Sequence, residues 1–429
     1  MHLFFYLLFL FVYHSAIRIA ARWNPKAKLW VRGRQNVFEK LEKSLAGNQA
    51  PVIWLHSSSL GEFEQGRPVL EKIRANYPGY RILLSFFSPS GYEAKKNYGG
   101  ADIVIYLPPD SKKNARRFIE MVNPQLVLWV KYDYWYFYLA ELKQKKIPLL
   151  LVSGAFRKNQ PFFKWYGRLH RYMLECFQHL FVQTENSYEL LKTIGISQNV
   201  TVVGDTRFDR VLEIAENFEP VAGIDSFCGS SPVIVAGSTW LEDEEEIDHY
   251  ANTNTHIKFI VAPHDISETR LKEAEALFRN CIRYSKLIGE TNRYNENDDN
   301  KKKGVSANVL LIDNIGMLSR LYKYGTITYV GGGFGNDGVH NVLEAAVYGK
   351  PVVFGPEFEK YVEAVELVDQ GGAFSIESAV ELEKLLNDLL MNPQWLQESS
   401  EASRNYVLEK KGATGKILQY VQEKRLLTN

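Results

Sequence analysis

From residue 51 onward the chain repeats one unit: a short run of apolar, largely β-branched residues, a turn, then an amphipathic stretch. The runs "PVIWLHSS", "RILLSFFS", "ADIVIYLPP", "PQLVLWVKY", "IPLLLVSGAF", "HLFVQT" and "VTVVG" do not alternate apolar with polar residues. A strand that is apolar throughout is buried on both faces, which is the condition of a parallel sheet with helices on each side. Stretches such as "SKKNARRFIEMVN" supply those helices. The rhythm lapses over residues 210–231, "RVLEIAENFEPVAGIDSFCGSS", where Pro and Gly suggest a linker. It restarts with "PVIVAGS", "IKFIVAP", "VLLID", "TITYVGGG" and "PVVFGP". The expected fold class is α/β, with two doubly wound domains over residues 36–209 and 232–429 and a linker at 210–231. Ligands in such sheets bind beyond the carboxyl ends of the strands, where the strand order reverses, so two facing domains would put a cleft between those ends. "TNRYNENDDNKKKG", residues 291–304, is polar and charged and is expected to be a mobile surface loop.

The first 22 residues stand outside this rhythm. An apolar run from Leu3 to Tyr13 is followed by Arg18, Arg22, Lys26, Lys28, Arg32 and Arg34. A secretory signal carries its positive charge before the apolar run, so residues 1–22 are expected to be a membrane anchor. The positive-inside tendency then puts the remainder in the cytoplasm. The run is short for a full span; an anchor lying in the interface and a buried N-terminal helix are the alternatives. The formal net charge is +1 with no basic tract, which argues against nucleic acid as a main partner. Cys176, Cys228 and Cys281 are far apart, odd in number and without a CxxC pair. Neither a disulfide framework nor a zinc site is suggested, and a reducing compartment is expected. No H-E-x-x-H or D-x-D pattern points to a metal.

Several strand-to-helix turns carry polar groups that admit two readings. In "WLHSSSLGEFEQGRPVLEKIR", residues 54–74, Glu62 stands in a first helical turn, where an acid is a favourable partner of the helix dipole. A carboxylate kept ionised there is also what a general base requires. Asp133 in "WVKYDYWYFY" likewise follows a strand. "AGSTWLEDEEEI" ends a strand with Ser238 and Thr239; Thr239 with Glu242 reads as a capping box, or the hydroxyls and free amides as a phosphate cradle. His264 follows a strand in "VAPHDIS", and Gly316, Met317 and Leu318 open a helix in "LLIDNIGMLSRLY". In "YVGGGFGNDGVHNVLEAAVYGKPVVFGP", residues 329–356, Gly333, Gly335 and Gly338 satisfy G-x-G-x-x-G, with Glu357 placed for a ribose contact. A dinucleotide fingerprint normally opens its domain, whereas this turn comes late; what it offers is backbone amides leading into a helix N-terminus, suited to an anion. Asn341 and Glu344 are either a capping box or, for Glu344, a partner of ribose hydroxyls. "RKNQPFFKWYGR", residues 157–168, interleaves aromatic and basic residues and suits a membrane interface or an anionic headgroup as well as a packed helix with solvated lysines.

Taken together, these turns resemble the 3-deoxy-D-manno-octulosonic acid (Kdo) transferases of lipopolysaccharide synthesis. The family's H-x-x-S-x-G-E is matched by His56, Ser59, Gly61 and Glu62. "SPSGYE" (88–93), "YLPPD" (106–110), "YDYW" (132–135), "VGDTRFD" (203–209), "AGSTWLEDEE" (236–245) and "GVHNVLEAAVYGKPVVFGP" (338–356) follow in the family's order, over nearly the whole chain. The resemblance implies a GT-B glycosyltransferase fold, two Rossmann-like domains facing a cleft behind an N-terminal anchor. It implies inverting transfer of Kdo from CMP-Kdo to the 6′-hydroxyl of a lipid A precursor, lipid IVA, at the cytoplasmic face of the inner membrane, with no metal or other cofactor. The family's catalytic base falls on Glu62, and its transition-state stabilisers on Asp133 and Arg207. Donor contacts fall on Ser238, Thr239, Pro263, His264, Gly316, Met317, Leu318, Gly338, His340, Asn341 and Glu344. Asp133 replaces a Glu and Arg207 a Lys of the family pattern, and "APHD" lacks the usual arginine beside the P-x-H position. The alternatives are a GT-B enzyme with another sugar nucleotide, a nicotinamide-dependent oxidoreductase and an inactive binding protein.

Overall fold

A computed structural model describes residues 2–131, 133–294, 307–336 and 338–428. Tyr132 of the "YDYW" motif and residues 295–304 of the expected loop lie outside them. The chain forms two units, residues 1–209 with 411–429, and residues 210–410.

The first unit is built on β1 (Val52–Ser57), β2 (Arg81–Phe86), β3 (Ile103–Tyr106), β4 (Pro124–Val130), β5 (Leu149–Gly154), β6 (His179–Val182) and β7 (Val200–Val202). These pair in parallel in the order β3-β2-β1-β4-β5-β6-β7. Successive side chains go to opposite faces. Trp54, Leu83, Val127, Trp129 and Leu151 enter one core, and Ile53, Leu55, Ile82, Leu84 and Leu128 the other. Both faces are dry, hence the unbroken apolar runs.

The second unit carries β8 (Val233–Thr239), β9 (Lys258–Pro263), β10 (Cys281–Arg283), β11 (Val309–Leu311), β12 (Ile327–Val330), β13 (Val352–Phe354) and β14 (Ala373–Ser375). Their order is β10-β11-β9-β8-β12-β13-β14, again parallel. The strand order reverses at β1/β4 in the first sheet and at β8/β12 in the second.

Two expected boundaries are corrected. Residues 210–231 are not a free linker: they continue the helix Thr206–Glu216 and form Ile224–Cys228, whose Ile224, Phe227 and Cys228 are buried. The second domain does not run to residue 429. The helix Ala413–Glu423 returns to the first unit and places Ala413, Ile417 and Val421 in the core that holds Leu55 and Phe63. Asp209 fixes its start by accepting from Gly412 N (2.5 Å) and Thr414 N (2.6 Å). The apolar stripe at i, i+4 and i+8 shows a packed helix but not which core it enters.

The helix His2–Ala20 is long and apolar enough over Leu3–Ala20 to cross a membrane. One of its faces meets the first unit: Leu10 is buried, and the Tyr6 hydroxyl donates to Asp110 (2.6 Å) and accepts from Tyr136 N (3.2 Å). The other face leaves Phe4, Leu8, Phe11 and Val12 exposed. Arg34 is no solvated flanking charge, because its guanidinium lies 3.8 Å from the Trp30 ring centroid and donates to Leu107 O, Trp30 O and Phe87 O.

Candidate active site

At the β1/β4 reversal, β1 ends in Ser57 and the helix Leu60–Asn76 begins two residues after Ser58, with Ser59 as N-cap. Glu62, third in that helix, turns back and accepts from Ser58 N (2.6 Å) and Ser59 N (3.1 Å). Gly66, one turn on, lets the helix lie against the sheet, since a Cβ there would stand 2.7 Å from Val130 Cγ2. Burial raises the Glu62 pKa to about 7, and the negative charge of Asp133 adds to it; the two backbone N–H groups and the Lys131 cation oppose the rise. Asp133, just beyond β4, is lifted to about 6 by burial, with Ser58, Trp135 and Arg34 opposing. Its Oδ2 has no hydrogen-bond partner among the described residues. The fold thus brings together two half-buried carboxylates that titrate near neutrality.

Arg207 belongs to the same unit and is tied to the Glu62 helix. Its Nε and Nη2 donate to Asp205 Oδ2 (2.9 and 2.8 Å) and its N to Oδ1 (2.9 Å). Gln65 and Gln183 also donate to Asp205. Burial alone would raise the Asp205 pKa, but Arg207 and Lys131 outweigh it and hold the carboxyl below its usual range. The Arg207 fork is therefore oriented by a partner whose ionised form is favoured. Lys131 escaped the sequence reading. It follows β4 with φ 57°, a strained left-handed conformation, and its charge acts on both Glu62 and Asp205. The signal was present as a lysine immediately after an apolar strand. Its effect on two acids distant in sequence was not.

In the second unit the β8/β12 reversal gathers most of the expected donor residues. Ser238 has φ 55°, and a Cβ on Gly331 would stand 2.4 Å from Ser238 O, so the turns after β8 and β12 touch. Asp243 binds them, accepting from Trp240 N (2.8 Å), Gly332 N (2.9 Å) and the Tyr329 hydroxyl (2.8 Å). The cap of this helix is thus Asp243 on Trp240, not Glu242 with Thr239. Thr239 is also corrected as a side-chain ligand: it is fully buried and its hydroxyl donates to Glu244 (2.7 Å), which pairs with Arg270. Pro263 ends β9 and pairs with Thr239, and His264 N donates to Thr239 O (2.9 Å). Trp240, His264 and His340 form a stack, with centroids 4.7 Å apart for Trp240–His264 and 4.6 Å for His264–His340. Trp240 Nε1 donates to His340 Nε2 (3.2 Å), which leaves the proton of a neutral imidazole on Nδ1. Trp240 was not expected; as a ring beside two histidines it is the one aromatic of its turn.

The remaining donor residues divide. Leu318 reaches the group, since a Cβ on Gly237 would stand 2.5 Å from Leu318 Cδ1; Gly316 (φ 99°) and Met317 precede it. Gly338 (φ 82°) lies beside Glu357 and Tyr361. Asn341 Nδ2 donates to Glu344 Oε1 (3.0 Å), and Asn341 Oδ1 accepts from Leu343 N (3.3 Å). The glycine loop leads into a helix of only four residues, Leu343–Ala346, and not into the long helix of a dinucleotide site. The 157–168 segment is no packed helix: it holds a 3-10 turn at Pro161–Phe163, and Arg157, Lys158 and Trp165 are exposed.

Two doubly wound parallel sheets in succession, each with its polar turns at the strand-order reversal, define the GT-B class of glycosyltransferase fold. The UDP-GlcNAc 2-epimerase of Neisseria meningitidis has the same architecture, with a TM-score of 0.60 at 17% identity over 87% of this chain and 100% of that one. Residues 33–210 match the family model described as 3-Deoxy-D-manno-octulosonic-acid transferase (kdotransferase). The 3-deoxy-D-manno-octulosonic acid transferase of Aquifex aeolicus is 27% identical over 84% of this chain and 92% of that protein. A bifunctional glycosyltransferase/methyltransferase of Fusobacterium nucleatum subsp. nucleatum is 30% identical over 79% of this chain, which spans about half (52%) of that protein's length. The chain is thus similar to the Kdo transferases, through the family model over residues 33–210 and through a protein of that name over most of its length.

Proposed function

We propose that the protein is an inverting glycosyltransferase that moves Kdo from CMP-Kdo onto the 6′-hydroxyl of a lipid A precursor, lipid IVA. The observation that carries this reading is the Glu62 carboxylate at the β1/β4 reversal, held by two backbone N–H groups with a pKa of about 7. Such a group is half-ionised at neutral pH and accepts a proton readily, which suits a general base. Glu62 takes the hydroxyl proton as that oxygen bonds to the anomeric carbon of Kdo. The anomeric C–O bond to phosphate breaks on the opposite face, and CMP leaves with the electron pair. Asp133 favours the positive charge that builds on the sugar, and Arg207 the negative charge on the departing phosphate. The ring stack and turn amides of the second unit hold CMP. No metal ion takes part.

The apolar outer face of the N-terminal helix supports membrane association. Its other face is tied to Asp110 and Tyr136, so the helix lies along its domain in the membrane interface at the cytoplasmic face of the inner membrane. Exposed Trp165 with Arg157 and Lys158 would meet anionic headgroups.

The test is transfer from CMP-Kdo, generated in place, onto a tetra-acylated bisphosphorylated disaccharide, followed by mass spectrometry of the lipid with and without EDTA. A Kdo mass increment that survives EDTA and vanishes in Glu62→Gln supports the reading. Product in Glu62→Gln at the wild-type rate removes Glu62 as base. No wild-type product from folded, CMP-binding protein removes the acceptor assignment.

A further inference from the structure

A cavity of 660 Å³ lies within the first unit, and its walls come from two elements that share no sequence motif. One wall is the N-terminal helix, through Phe5 and Phe9; the other is the segment around Phe162, Leu169 and Met173. Asp133 stands on its lining. Phe5 and Phe9, one helical turn apart, remain more than half exposed at 58% and 55%. A soluble protein does not ordinarily leave such rings beside an apolar hollow without something to cover them.

Resting on the reading of Glu62 and Asp133 above, we propose that this cavity receives one acyl chain of the lipid acceptor and so sets the sugar hydroxyl beside Glu62. Three observations support an acyl chain. The lining is mostly aromatic and aliphatic, with Asp133, Gln160 and His170 among it, which suits an apolar chain attached to a polar sugar. Its volume falls in the range of pockets that enclose small ligands, roughly 300–1,000 Å³. One wall is the helix whose outward face, with Phe4, Leu8 and Phe11 exposed, is itself apolar, so a chain can pass from bilayer to cavity without crossing water. The hydrogen bonds of Tyr6 to Asp110 and from Tyr136 fix that wall against the strand-end segment carrying Asp133. The helix is then part of the acceptor site as well as a tether.

The experiment uses the full chain in vesicles, with two photoreactive probes read by mass spectrometry of the peptides. One probe is the tetra-acylated disaccharide with a diazirine in an acyl chain; the other is a phosphatidylethanolamine with the same diazirine. The acceptor probe is expected to label Phe9, Leu169 and Met173, and the phospholipid Phe4, Leu8 and Phe11. Leu169→Trp, which fills the cavity, should cut the acceptor adducts about tenfold, as should the milder Met173→Phe, while calorimetric unfolding of the full chain at the wild-type enthalpy reports that each variant is folded. The ratio of kcat/KM for acylated over de-acylated acceptor should fall about tenfold as well, the cost of roughly two lost buried methylenes. Acceptor adducts spread over the outer face, or equal cavity labelling by the phospholipid, would overturn the proposal. Wild-type protein that transfers nothing yet labels in the cavity would instead overturn the functional reading and leave the cavity assignment standing.

Discussion

Glu62 and Asp243 occupy the same position in two different sheets: each is the third residue of the helix that follows the strand at the reversal point, and each turns back onto its N-cap residue. Their fates differ. Asp243 is 1% exposed and spends its oxygens on Trp240 N, Gly332 N and the Tyr329 hydroxyl. Glu62 is half-buried, accepts among the described residues only from the two N–H groups of its own turn, and senses a second acid, Asp133. An acid at a helix start is chemically available only where the surrounding fold leaves it partly unsatisfied. In the second unit that position is consumed in joining two turns, and what the reversal point presents instead is rings and backbone.

That contrast can be broken by exchanging the expected losses. Glu62→Gln should lower kcat/KM for Kdo transfer by about 10³-fold, in the range for loss of a general base, with the melting temperature nearly unchanged; steady-state kinetics beside calorimetry will show it. Asp243→Asn should do the reverse. It turns an amide toward donors and is expected to cost about 1–3 kcal/mol in denaturant unfolding, while CMP still binds to the fraction that is folded. If Asp243→Asn abolished transfer in stable protein, the two acids would not differ as described.

Two smaller effects sharpen the picture. His340→Ala removes the partner of Trp240 Nε1 and one ring of the stack; CMP affinity by calorimetry should weaken about tenfold, the worth of one aromatic contact, with kcat changed little. The smallest effect concerns pH. Because Glu62 must be ionised to accept a proton, kcat/KM should rise with pH and level off above about 7. Burial is the larger cause of that value, and Asp133 the lesser. Asp133→Asn should therefore move the acid limb to lower pH by less than about one unit, without returning it to the value of a free glutamate. An unmoved limb would mean that the two carboxylates do not sense each other.

Much of the architecture was legible because both sheets are buried on two faces. Every expected strand run coincides with a strand, and the two that escaped, β10 and β14, are three residues long and lie at sheet edges. Length did not hide them, since β7, β11 and β13 are equally short; as edge strands β10 and β14 are mostly half-buried and carry no continuous apolar run. The turns were legible as turns, through Ser59, Gly338 and Asn341, but their chemistry was not. Thr239 reads as an available hydroxyl until Glu244 is seen five residues on with Arg270 behind it. Asp205 lies two residues before Arg207 and could have been paired with it, whereas the glutamines that complete its shell are up to 140 residues away. Side-chain satisfaction is a tertiary property, and a motif records only where it can occur.

The return of the helix Ala413–Glu423 to the first unit bears on how the protein is made. A ribosome that has delivered residues 1–209 has produced every strand of the first sheet, yet that sheet still lacks the cover of Ala413, Ile417, Val421 and Leu427. The intervening 210–410 unit can fold as one contiguous stretch before this happens. Glu62 and Asp133 would therefore belong to a domain whose strands are made before the second unit and whose cover arrives only after that unit has emerged.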